Sequence, residues 1–196
     1  MPSPSDEDLA LAVQAGNTDS LGVLVARWEQ PLFRFAVRLL EKPEDARDVC
    51  QETFLRILRR SERFREGARF STWMYQIALN LCRDQIRRRR RWKWISIENE
   101  PNDRESPAVP RNAAAAETDD PGRALELLER RRAVSAALGR IPREQREVLI
   151  LKEYEGLKFR EISEILGCPE STVKSRMYYG LSALRSELGR RGIGAP

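Results

Sequence analysis

No histidine occurs anywhere in the 196 residues. That one absence removes a Ser-His-Asp triad, a histidine metal cluster and a histidine proton shuttle from consideration. Cysteine is nearly as scarce. Cys50, Cys82 and Cys168 stand far apart with no CxxC pair, so neither a zinc site nor a disulfide framework is indicated. Three thiols of this kind fit small buried side chains in a reducing cytosol, and neither metal nor cofactor is expected. No apolar run approaches the ~18 residues of a membrane span. The first residues, Met1 to Asp8, are rich in proline, serine and acid rather than basic and then apolar, which is not a signal peptide. The expectation is a soluble, cytoplasmic protein without membrane insertion. Strand signals are missing too, because no sustained period-two alternation is bounded by hairpin turns. The fold class is therefore all-α.

What is present is enough apolar residue to bury a core, 41% of the chain, and a small cationic excess of 35 Lys and Arg over 30 acids. Two helix-patterned blocks flank a stretch that cannot build a core. Residues 96–122 hold Pro101, Pro107, Pro110 and Pro121 and the tract Ala113 to Ala116, and seven acids against two arginines leave them at −5. A loop this long is uncommon inside a compact domain. The expected organisation is thus two small helical domains, 1–95 and 123–196, joined by a flexible acidic linker over 96–122.

In the second block, Phe159 to Leu166 reads as a short amphipathic helix ended by Gly167, a natural left-handed cap. Cys168-Pro169 then leads into another helix, with proline favoured at its start. Val173, Met177, Leu181, Leu184 and Leu188 form the inner stripe of that helix. Ser171, Thr172, Ser175, Tyr179 and Ser182 lie opposite, flanked by Lys174, Tyr178 and Arg176. Helix, glycine turn, proline start and a face of short hydroxyls and cations make a helix-turn-helix suited to the major groove. This pattern implies DNA binding and says little about what is done on DNA.

The first block discriminates further. Leu21, Leu24, Val25, Trp28, Leu32, Phe35 and Leu39 recur at helical spacing, and a second helix runs from about Pro43 to Arg60. Opposite its inner residues stand Asp48, Glu52, Leu55 and Arg59, with Gln51 at the edge. Acids around an exposed leucine suit a protein partner better than DNA. A third helix starts near Ser71, a candidate cap, and turns Phe70, Met74, Ile77, Ala78 and Leu81 inward. Its far side gathers Thr72, Gln76, Arg83 and Arg87, with Trp73 and Asn80 along one edge. An aromatic for stacking, amides for base edges and arginines for phosphates suit single-stranded nucleic acid. Arg87 to Arg91, followed by Trp92, Lys93 and Trp94, continue as a phosphate-tracking end.

DARDVCQETFLRILR (Asp45 to Arg59), FREGARFSTWMYQIALNLCRD (Phe64 to Asp84) and the stretch from Ile141 to Arg185 together resemble the extracytoplasmic-function (ECF) group of bacterial sigma factors, over nearly the whole chain. The resemblance implies an initiation factor without catalysis of its own, which binds core RNA polymerase, directs it to promoters and helps melt them. It implies that Asp48, Gln51, Glu52 and Leu55 dock on the clamp coiled coil of the polymerase's largest subunit. Trp73, Gln76, Asn80, Arg83 and Arg87 would engage the minus-ten element and its flipped non-template base. Ser171, Thr172, Lys174, Ser175, Arg176, Tyr178 and Tyr179 would read the minus-thirty-five element, on a domain seated on the second-largest subunit's flap. The acidic linker resembles the segment that threads toward the active-site cleft. An anti-sigma factor is the expected inhibitory partner. The long amino-terminal region and middle helical domain of housekeeping sigma factors are missing, which implies stringent promoter choice. The alternative is a helix-turn-helix regulator acting without being a polymerase subunit, which would leave the first-block faces without purpose. An enzyme such as a serine recombinase would need an α/β core that the pattern lacks.

Overall fold

A computed structural model of the protein describes residues 3–96 and 121–191. The expected linker falls almost wholly outside them, as do the last five residues, 192–196. Eight α-helices are described. The first block holds α1 (Asp6–Gln14), α2 (Thr18–Leu40), α3 (Pro43–Arg59) and α4 (Phe70–Ser96). The second holds α5 (Pro121–Leu138), α6 (Arg143–Leu149), α7 (Phe159–Leu166) and α8 (Glu170–Gly189). Among the described residues there is no strand.

Local chemistry sets most boundaries. Ser5 and Asp8 form a capping box: the Asp8 N–H donates to Ser5 Oγ at 3.1 Å and the Ser5 N–H to Asp8 Oδ2 at 3.2 Å. Asn17 caps α2 by accepting from the Asp19 and Ser20 N–H groups. Glu41 ends α2 in the left-handed region at φ 64°, and Pro43 opens α3 at a position where a missing N–H costs nothing. Gly167 ends α7 at φ 65°, a backbone conformation that a Cβ would strain.

One expected cap is corrected. The third helix starts at Phe70, so Ser71 lies inside it, and the Phe70 N–H donates to Glu7 Oε1 of α1 at 3.1 Å. The acceptor comes from a helix sixty-three residues away in sequence, and the carboxylate also faces the positive end of the helix dipole.

The first block buries Leu24, Leu32 and Phe35 of α2 against Ala46 and Ile57 of α3 and Phe70, Met74 and Ala78 of α4. Trp28, Phe35 and Tyr75 pack edge-on, with Tyr75 6.0 and 5.0 Å from the other two rings. In the second block Val148, Leu149, Ile150, Ile162 and Val173 are buried. The inner stripe of α8 differs from expectation at one residue. Leu181 is 44% exposed, and Gly180 is buried in its place. α6 approaches so closely that a Cβ at Gly180 would sit 3.1 Å from Leu149 Cδ1 and 3.2 Å from Gln145 Cβ, leaving no room for a large side chain at that point of the helix.

The blocks also touch. After α6 the chain widens into a π turn over Ile150–Tyr154, a form that recurs at functional bends. It places the Tyr154 ring 4.1 Å from the Arg38 guanidinium carbon of α2 and aims Glu155 at α4. Buried apolar residues of both blocks join one cluster.

Candidate nucleic-acid and partner interfaces

On α3, Asp48, Gln51 and Leu55 are exposed and Glu52 is half-exposed. Arg56 Nε donates to Glu52 Oε1 at 2.8 Å and holds that carboxyl below its ordinary pKa. Leu55, 44% exposed, forms a crest between two grooves. One, of about 500 Å3, runs between α3 and α4 past Asp48, Gln51, Glu52 and Leu55 on one side and Asp84, Gln85 and Arg88 on the other. The second, of about 360 Å3, is apolar, walled by Leu21 and Val25 of α2 and by Cys50, Phe54 and Leu55 of α3. Burial pushes the Cys50 thiol up to about 12, so it acts here as apolar wall rather than nucleophile.

Along α4, Gln76, Asn80 and Arg87 are exposed and Trp73 and Arg83 half-buried. Trp73 packs on Phe64, with ring centroids 5.3 Å apart, and leaves its free edge in a groove of about 300 Å3 shared with Arg65, Arg69 and Gln76. Thr72, expected on the outward side, lines this groove with its hydroxyl buried. Arg83 does not project freely. Its Nε and Nη2 donate to the Glu147 carboxylate at 3.1 and 2.6 Å, and this hydrogen bonding raises its pKa. In the arginine run, Arg87 pairs with Asp84 and Arg89 with Asp45, so part of that charge is spent within the block.

On α8, Ser171, Lys174, Ser175, Tyr178 and Tyr179 are exposed and Thr172 and Arg176 half-buried. Tyr178 and Tyr179 are 71% and 60% exposed, with rings 5.5 Å apart. Lys174 pairs with Glu170 at 2.8 Å, and the Ser175 hydroxyl donates to the Thr172 carbonyl at 2.9 Å. Ser163 Oγ donates to the Cys168 carbonyl at 2.6 Å and tightens the turn between α7 and α8. The result is one helix packed along Val173, Met177 and Gly180 with hydroxyls, phenols and a lysine on its open side.

Residues 24–92 match the family described as Sigma-70 region 2, and residues 131–184 match Sigma-70, region 4. The chain is 33% identical to the ECF RNA polymerase sigma factor SigE of Mycolicibacterium smegmatis, over 95% of this chain and 70% of that protein. It is 30% identical to the ECF RNA polymerase sigma factor SigW of Bacillus subtilis, over 90% and 92%. The chain belongs to the ECF sigma factors. It is an alternative sigma factor, a transcription initiation factor that directs RNA polymerase to promoters. The fold is shared with the sigma factor RpoE of Bartonella quintana, solved with the anti-sigma factor NepR (TM-score 0.68, 22% identity, covering 86% of this chain and 96% of that one).

In this sigma factor the structure gathers Asp48, Gln51, Glu52 and Leu55 on one face of α3. It sets Trp73, Gln76 and Asn80 along one side of α4 and the seven α8 residues along one helix. Arg83 is drawn off toward the second block. Sequence reasoning missed Leu21 and Val25 as groove walls, since their spacing reads as core, and it missed Glu147 and Glu155 altogether. Among the described residues no helix is long and apolar enough to cross a membrane.

Proposed function

We propose that the sigma factor carries its tasks on three separate helix faces. The α3 crest at Leu55, with Asp48, Gln51 and Glu52, docks on the clamp coiled coil of the largest subunit of bacterial core RNA polymerase. An exposed leucine between an apolar and a mixed groove is the anchor-in-pocket arrangement from which interfaces draw most of their affinity. Trp73, Gln76, Asn80, Arg83 and Arg87 of α4 take the non-template strand of the minus-ten element. The groove beside Trp73 offers a stacking edge, an amide and guanidiniums to an extruded base. The α8 residues Ser171, Thr172, Lys174, Ser175, Arg176, Tyr178 and Tyr179 enter the major groove of the minus-thirty-five element, while their block rests on the flap of the second-largest subunit. The acidic linker passes toward the active-site cleft. The chain works in the cytoplasm and catalyses no reaction itself.

The observation that carries this reading is the pairing, on one four-helix block, of the Leu55 docking crest with the Trp73–Gln76–Asn80 face. A regulator acting alone has no use for the first. An anti-sigma factor, of the kind bound to the Bartonella quintana RpoE, would act by covering the apolar groove beside Leu55. Run-off transcription tests the reading. Purified chain with bacterial core polymerase should give promoter-specific transcripts that neither gives alone, and none from the pair would refute it. Asn80→Ala should impair initiation on duplex more than on pre-melted template, and equal loss on both would remove Asn80 from melting.

A further inference from the structure

Asp45 stands in the first turn of α3 and binds α4 twice. Its Oδ1 accepts from Gln85 Nε2 at 2.9 Å, and its Oδ2 accepts from Arg89 Nη2. Arg89 turns its other arm to α2, donating from Nη1 to the Leu40 carbonyl at 3.0 Å. Gln85 and Arg89 are four residues apart and share one side of the helix. One carboxylate therefore holds two successive turns of α4, at the point where the end of α2 and the start of α3 meet it. Asp45 and Arg89 are both half-buried, so water competes only in part for the pair.

Beyond this point α4 has little else to lean on. Among its described residues, Ile86 is the last apolar side chain that packs on the core, and Arg90, Arg91 and Trp92 are exposed. Arg87 pairs with Asp84 of its own helix, which ties nothing to the rest of the block. The run Arg87 to Arg91 is also indifferent to rotation, because a turn of ~100° replaces one arginine by the next. The Asp45 carboxylate removes that indifference. With Arg89 fixed inward, Arg88 and Arg90 lie ~100° to either side and Arg91 ~160° round, on the outer side.

The geometry points to Asp45 as a positioning residue for promoter DNA: it pins the arginine end of α4 against α3, so that Arg88, Arg90 and Arg91 meet duplex phosphates in one fixed orientation. The inference rests on the reading of that end as phosphate-tracking. Phosphate contacts set the register and orientation of a protein on the duplex, so an unpinned end loses alignment while keeping its charge.

Charge alone predicts the opposite of positioning. Asp45→Asn keeps the shape and an acceptor for Gln85 but removes an acid, and a simple gain of positive charge would tighten DNA binding. An unpinned arginine end would weaken it. Holoenzyme assembled from the full chain and bacterial core polymerase is titrated, at several salt concentrations, onto a fluorescein-labelled duplex carrying a promoter that supports run-off transcription. Asp45→Asn should bind about tenfold more weakly. The slope of log K against log salt should flatten by at least ~0.9, the share of one phosphate contact. Asp45→Glu restores the carboxylate and should restore both affinity and slope, and affinity for core polymerase should stay at the parent value throughout. Equal or tighter DNA binding by Asp45→Asn would overturn the positioning role, and so would a loss that appears equally in polymerase affinity. Should Asp45→Asn fail to fold by circular dichroism, Arg89→Lys decides. It keeps the charge but lacks the planar fork that spans Asp45 and Leu40; weaker DNA binding is expected, and parent affinity would refute the inference. Arg90→Gln with Arg91→Gln, in the otherwise unaltered chain, tests the reading beneath it. An unchanged salt slope there would remove the arginine end from DNA, and the inference with it.

Discussion

The start of α4 positions Trp73 and Gln76, and it hangs on a carboxylate from the other end of the first block. Glu7 Oε1 accepts the Phe70 N–H at 3.1 Å in a part-buried setting, with Phe70 itself fully buried. A hydrogen bond to a charged group contributes about 1.5–3 kcal/mol, and a carboxylate at a helix N-terminus about 0.3–1 kcal/mol more. Glu7 is itself half-exposed, so water can replace some of this in its absence and the low end applies. Glu7→Ala should therefore destabilise the chain by about 1.5 kcal/mol, the size of a lost cap. Glu7→Gln keeps an acceptor oxygen and surrenders only the charge, for about 0.5–1 kcal/mol. At roughly 2–4 °C per kcal/mol for a chain of this length, the alanine variant should melt about 3–6 °C early. Urea unfolding followed by tryptophan fluorescence measures both, with Trp73 reporting from the same helix turn. An alanine variant within about 0.5 kcal/mol of the parent, or a glutamine variant as unstable as the alanine one, would refute the idea that Glu7 caps α4.

Other outcomes follow from the same geometry. Leu55→Asp should lower affinity for core polymerase at least about tenfold, a loss of ~1.4 kcal/mol, while leaving unfolding midpoints unchanged, because Leu55 is exposed; binding titration and urea melts read the two effects. Gly167→Ala places a Cβ at φ 65° and should cost about 1–2 kcal/mol by the left-handed penalty, measurable as a lower melting temperature. Thiol titration at mild alkaline pH should label Cys168 first. Cys50, with its pKa pushed to about 12, and Cys82, buried and raised further, should react only as the chain unfolds. Burial raises the Glu155 carboxyl above its ordinary value of 4.5, against the opposing pull of Tyr75, Arg38 and Arg34. The folded form therefore binds this proton more tightly than the unfolded one, and the stability it contributes grows as pH falls from above the raised pKa toward 4.5. The parent should gain stability on Glu155→Gln across that window, and a constant difference between the two denaturation curves would contradict the shift.

The features legible in the sequence were those set by neighbouring residues. Gly167 and Pro169 punctuate the helix-turn-helix because left-handed caps and helix starts are local backbone chemistry. The outward face of α3, and on α4 the exposure of Gln76, Asn80 and Arg87, followed from helical spacing alone. What escaped is non-local. Ser71 looked like a cap because its type favours one, while the real acceptor arrives from Glu7. Leu181 fitted the inner stripe by period, but the closeness of α6 at Gly180 turns it outward. Glu147 and Glu155 carry no local signal. Their burial depends on Arg83 and Tyr75, sixty-four and eighty residues away, and no window along the chain contains both partners.

α4 is one unbroken helix of 27 residues, so at 1.5 Å per residue it is a rod of about 40 Å. Trp73 stands near one end and Arg91 eighteen positions further on, about 27 Å away along the axis. In double-helical DNA that span corresponds to about eight base pairs at 3.4 Å each. On the proposed reading, an arginine end on duplex phosphates would set the tryptophan end a fixed number of base pairs away. The helix then acts as a ruler, and where the strands first part is a length written into α4.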